Sequence, residues 1–205
     1  MAKNNNKIEK KLKNFFDYNI DVGERVLYYG ANSNIELGSL TNTLVQEVND
    51  WSSEQLIKGL FCLDSVNHKM ITILWNSDGG EWDAGMSIYE FIRTMKSPVK
   101  MICYSRCRSM GSVILQACKK RILTENCRFM IHYGREAIGE VHTKDFKKIA
   151  EETEKINEIM EGIYLRRIRE KHPRFTFEKL RDLMKYDCYM SAKEAVNLGL
   201  ADEVI

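Results

Sequence analysis

Four short segments carry residue types that could do acyl-transfer chemistry. Ser109 follows the apolar run VKMICY and stands two residues before Gly111; His132 ends RFMIH; Asp187 lies just before a segment with helix-start signals; Gly79 and Gly80 follow ILWNSD. Nucleophilic serine chemistry needs a hydroxyl at an exposed turn, a neutral imidazole to take its proton, a carboxylate to fix the imidazole tautomer and backbone amides aimed at the developing oxyanion. Each residue alone has an ordinary reading: Ser109 as a helix N-cap, His132 as a hydrogen-bonded polar residue at a strand end, Asp187 as a solvated or capping aspartate. The stricter G-x-S-x-G elbow is absent, because Cys107 stands at its first glycine, and the chain order Ser, His, Asp differs from those of the chymotrypsin, subtilisin and α/β-hydrolase groups. Cys107 has no predicted base of its own and reads as a packed thiol.

These residues have to be positioned by a sheet. RVLYYG (25–30), KMITILW (69–75), VKMICY (99–104) and RFMIHY (128–133) read as strands, separated by segments with helical spacing. One helix is predicted with Leu40, Leu44, Val45, Val48 and Trp51 on a shared face, followed by a linker, SSEQLIKGLFCLDSVNHK. Another carries Met86, Tyr89 and Ile92 and stops at Ser97-Pro98. The alternation argues for an α/β fold with a mostly parallel sheet, and open sheets of this kind build their sites at the carboxyl ends of strands. A long helix follows His132, with Phe146, Ile149, Ile156, Met160 and Ile163 forming a narrow stripe that suits packing on another chain or on its own domain. Near the end, Ser191 and Glu194 fit a capping box and Gly199 fits a helix stop.

The 205 residues suffice for one sizeable core, read as a single domain over 23–205 after a basic, flexible arm over 1–22. Thirty-one basic against 29 acidic residues give no general pull towards nucleic acid. No apolar run reaches the ~20 residues that cross a bilayer, and no signal peptide opens the chain, so a cytoplasmic protein is expected. Six cysteines without CxxC spacing and four scattered histidines argue for reduced thiols and against a metal site; no cofactor is implied.

NSDGGEWDAGMSIYEFI, RSMGSVILQA, RFMIHY and DCYMSAKEAVNLGLADEVI, in this order, resemble the proteolytic-subunit family of Clp-type ATP-dependent proteases over roughly Arg25 to Ile205. The resemblance implies the crotonase-like Clp-protease fold with repeated ββα or βαβ units and a protruding handle helix, here about 134–172. It implies Ser109 as nucleophile, His132 as base and Asp187 as its orienting acid, with the amides of Gly80 and Met110 as oxyanion donors. It further implies polypeptide substrates, a homo-oligomer of two stacked heptameric rings and an ATPase unfoldase as partner. This chain departs from the family pattern at Asp78, where proline is usual, and at Arg106, Cys107 and Arg108, where small residues are usual. The two arginines suit acidic peptide groups or contacts with neighbouring subunits. Two other readings stand beside a peptidase: an inactive ring-forming relative, and an acyl-CoA enzyme of the crotonase type.

Overall fold

The computed structural model describes residues 2–30, 47–134 and 142–205. Helix α1 (Ala2–Tyr18) leads into a two-residue strand β1 (Ile20–Asp21) and then β2 (Val26–Tyr29); α2 (Asp50–Val66) precedes β3 (Ile71–Ser77), and α3 (Trp82–Thr94) precedes β4 (Val99–Arg108). The short α4 (Met110–Leu115), β5 (Lys120–Leu123) and β6 (Arg128–Ile131) follow. Next are α5 (Thr143–Lys171), α6 (Phe177–Met184), β7 (Cys188–Ser191), α7 (Ala192–Leu198) and β8 (Glu203–Val204).

The expected parallel sheet is present. Its spine runs β1-β2-β3-β4-β5-β8, parallel throughout except for the β1–β2 pair. Strict alternation sets the faces: in β3, Ile71, Ile73, Trp75 and Ser77 are fully buried while the residues between them are half-buried. Burying an Ile side chain of this kind contributes roughly 1.5–3 kcal/mol. Trp75 stacks flat on Tyr29 at 4.2 Å, so β2 and β3 are locked by an aromatic pair as well as by the ladder.

β4 is the pivot. Its first half, Lys100 to Cys103, pairs with β5, and its last three residues, Arg106 to Arg108, pair instead with β6. The sheet therefore forks at β4, and β7 lies antiparallel on the outer side of β6.

Several sequence expectations need correction. VKMICY is only the first part of β4, which continues through Arg108, so the helix opens at Met110. The segment read as a linker is helix α2, started by an Asn49–Ser52 capping box that periodicity alone does not register. Val48, placed on the face of an earlier helix, instead bridges Gly80, and Trp51 is 57% exposed; Leu40, Leu44 and Val45 lie outside the described residues. The basic opening, read as an arm, forms α1, whose Phe15 ring meets Tyr28. Other signals hold: α3 ends before Ser97-Pro98, and α7 has the Ser191–Glu194 box and Gly199 at φ 91°.

Candidate active site

Register brings three distant residues together. Arg108 of β4 is opposite Met130 of β6, and Ile131 is opposite Cys188 of β7. One step beyond these pairs, Ser109 follows β4, His132 follows β6 and Asp187 precedes β7, so all three lie at the same end of the forked sheet. The Ser109 N–H still donates to the Met130 carbonyl at 3.0 Å, which ties the turn to β6.

The side chains then form a continuous line. Ser109 Oγ is 2.7 Å from His132 Nε2, and His132 Nδ1 is 3.1 Å from Asp187 Oδ1. Asp187, as acceptor, selects the tautomer with the proton on Nδ1, which leaves Nε2 to accept from the Ser109 hydroxyl. The imidazole is 15% exposed and the carboxylate 32%, so the line is shielded at its centre and open to solvent at its acidic end.

Ser109 has φ 48° and ψ −125°, a conformation a non-glycine residue adopts only under constraint. Its carbonyl is held by the Ser112 N–H at 2.9 Å and the Ser112 hydroxyl at 2.6 Å; the hydroxyl in turn accepts from Tyr164 of α5 at 2.7 Å. Burial pushes the Tyr164 phenol above its ordinary range, which keeps it a donor. The serine thus does not cap α4 through its side chain, and its hydroxyl is directed to the imidazole.

The glycine pair lies against the same turn. A Cβ on Gly79 would stand 2.6 Å from Ser109 Cβ, and one on Gly80 would stand 2.1 Å from the Val48 carbonyl oxygen. Val48 donates to Gly79 O at 2.8 Å and accepts from Glu81 N at 2.7 Å. This bridge directs the Gly80 N–H away from Val48. Met110 is the first residue of α4, so its N–H has no acceptor within that helix.

Gly80, Ser109, Met110 and His132 line one cavity of about 410 Å³. Its other walls include Trp82 and Val113, and also Thr153, Ile156, Asn157 and Met160 of α5. Sequence reasoning missed this contribution of α5. Ile156 and Met160 were visible in it only as part of an apolar stripe, which does not distinguish a packing face from a cleft wall.

Cys107 is fully buried with its thiol 3.6 Å from the Gly111 carbonyl, as a packed residue would be. Arg106 and Arg108, expected to meet acidic peptides or neighbouring subunits, both reach Asp78 at 2.8 and 2.9 Å. Among the described residues there is no His/Cys/Asp/Glu cluster able to hold a metal, and no helix long and apolar enough to cross a membrane.

Comparison with known proteins points one way. The family model described as Clp protease matches residues 38–205. An ATP-dependent Clp protease proteolytic subunit of Deinococcus radiodurans is 37% identical over 156 residues, covering 75% of this chain and 74% of the relative. A proteolytic subunit 2 of Prochlorococcus marinus is 34% identical over 165 residues, with 79% of each chain covered. The solved structure of a ClpP1 mutant from Listeria monocytogenes shares the fold at a TM-score of 0.72, with 24% identity over 90% of this chain and 92% of that one. With the family model matching most of its length and relatives above the 30% level along three quarters of it, the chain belongs to the Clp protease family.

Proposed function

We propose that this chain is a serine endopeptidase subunit in which Ser109, His132 and Asp187 form the catalytic triad and the amides of Gly80 and Met110 form the oxyanion hole. The observation that carries the reading is the unbroken contact line from Ser109 Oγ through both imidazole nitrogens to Asp187. A peptide carbonyl entering the cavity meets the Ser109 hydroxyl. Its proton passes to His132 Nε2 as the Oγ–C bond forms, and the imidazolium is stabilised by Asp187. The carbonyl electrons move onto oxygen, where the two amides receive them. His132 then returns the proton to the leaving amine; water repeats the sequence and frees the acyl group.

The family relationship supports the wider frame: a soluble ring-forming peptidase for unfolded polypeptides, built as stacked heptamers and served by an ATPase unfoldase. The proteins it resembles are themselves described as proteolytic subunits of ATP-dependent proteases.

The test is hydrolysis of a fluorogenic peptide by the assembled protein, with labelling by a fluorophosphonate. Wild type should turn over and label at residue 109. Ser109→Ala should lose labelling and at least about 10³-fold in kcat, the scale of deleting a triad member. Properly assembled wild type that neither labels nor hydrolyses would mark the chain as an inactive ring partner.

A further inference from the structure

Three residues that depart from the family pattern meet in space. Ser77 of β3 and Cys107 of β4 are register partners and both are fully buried. Side chains alternate along extended backbone, so Asp78, Arg106 and Arg108 share the opposite, partly exposed side. There Asp78 Oδ2 accepts from Arg106 at 2.8 Å and Oδ1 accepts from Arg108 at 2.9 Å, so each carboxylate oxygen has its own guanidinium. The Arg108 guanidinium also lies 5.7 Å from the Tyr189 ring centre, on the strand that follows Asp187. Its Nε is buried and has no partner among the described residues, while its Nη1 donates to Asp78.

We propose that Asp78, Arg106 and Arg108 form a positioning clamp that holds the Gly79–Gly80 amide loop at a fixed distance from the Ser109 turn. The clamp rests on the peptidase reading above. Asp78 immediately precedes the glycine pair, and Arg108 immediately precedes Ser109. A contact between them therefore ties the Gly80 donor to the nucleophile through residues that adjoin the glycine pair on one side and Ser109 on the other. The Gly79 carbonyl and Glu81 amide are pinned to Val48 on one side, and the clamp supplies the restraint on the other. With both guanidinium groups engaged by Asp78, recognition of an acidic peptide would first have to break this contact. That makes the arginines positioning residues rather than substrate readers.

The experiment uses the assembled full-length chain, a neutral fluorogenic peptide and an acidic counterpart. Asp78→Asn should lower kcat on the neutral peptide about tenfold with KM within about twofold, since misplacement of preorganised donors affects the transition state more than binding. Asp78→Glu should recover most of that loss. Adding Arg106→Gln and Arg108→Gln to Asp78→Asn should cost little more, as members of one contact are not additive. Amide hydrogen exchange over residues 78–82 should quicken in Asp78→Asn, and in Arg106→Gln as a second variant if the first folds poorly. An unchanged kcat, or a change confined to KM or to the acidic peptide, would overturn the clamp. Wild type without hydrolysis would refute the peptidase reading instead; the clamp would then stand or fall on the exchange rates, and equal rates would end it.

Discussion

Ser109 carries the local strain of the site, and the strain can be measured separately from the chemistry. At φ 48° and ψ −125° the Cβ is what makes the conformation costly, by about 1–3 kcal/mol. Ser109→Ala keeps the Cβ and Ser109→Gly removes it, while both lose the hydroxyl. Glycine also loosens the unfolded chain, a penalty of about 0.4–1 kcal/mol. The balance favours Ser109→Gly by about 1 kcal/mol, so its thermal midpoint should lie about 2–4 °C above that of Ser109→Ala. A lower midpoint for the glycine variant would show that the turn is unstrained. A second substitution probes the other end of the contact line. Asp187→Asn can present an N–H to His132 Nδ1, which moves the imidazole proton to Nε2 and takes away the acceptor for the Ser109 hydroxyl. Steady-state hydrolysis should then fall by about 10³–10⁴-fold in kcat with the fold retained, and a loss below tenfold would remove Asp187 from the mechanism.

Between elements, polar contacts at the far end of the sheet decide how α2 and β4 meet. Asp64, near the end of α2, accepts from the Ser97 hydroxyl at 2.6 Å, from the Ser97 N–H at 2.7 Å and from the Lys96 N–H at 3.3 Å. The Ser97 hydroxyl first, and these backbone donors with it, lower its carboxyl to about 2. A carboxyl held below its unfolded value near 4 stabilises the fold above that pH, and the stabilisation declines below about pH 4 and is lost as pH falls through the folded value of about 2. Asp64→Asn should therefore cost about 1 kcal/mol at neutral pH and progressively less as pH falls through about 2, as read from denaturant midpoints across pH. A pH-independent difference would mean that the charge is not what matters. This contact was not legible in the sequence, because Asp64 and Ser97 are 33 residues apart and belong to no period. The Asp78 clamp is hidden in the same way: its members stand out in the sequence as departures from the family pattern, but nothing in one dimension pairs them. What could be read was local or motif-borne. The buried β3 run, the Ser191–Glu194 box and Gly199 follow from short-range rules, and Ser109, His132 and Asp187 emerged from ordered motifs rather than from spacing. β5 escaped because KRIL is short and opens with two cations, and α2 escaped because its start is a polar Asn-x-x-Ser box outside any hydrophobic pattern.

At the scale of the whole molecule, α5 divides into two helices of different character. From Met160 to Ile168 it buries Met160, Glu161, Ile163, Tyr164, Leu165 and Ile168 against the domain. Glu161 there receives Arg181 from α6 and the Tyr133 hydroxyl, which docks the segment after His132 onto the helix. From Lys144 to Ile159 no side chain is buried, although Phe146 and Ile159 are 54% and 51% exposed and Ile149 and Ile156 only half-covered. Charged neighbours such as the Lys155–Glu152 pair keep this half soluble without contributing much to its stability. A single chain gains little by leaving such a stripe in water, whereas a second copy covering it would bury it and fix the α5 wall of the Ser109 cavity. Phe146→Glu should accordingly reduce the mass found by multi-angle light scattering, since it sets a charge in the exposed apolar stripe that a second copy would cover. In the isolated chain the same change removes no buried contact, so the unfolding free energy of the dissociated subunit should move by less than about 0.5 kcal/mol. Hydrolysis per subunit should fall with the mass and recover at high protein concentration, because assembly is governed by mass action. A variant that keeps wild-type mass at every concentration would show that the exposed half of α5 does not join subunits, and the ring assembly would then have to be built on another face.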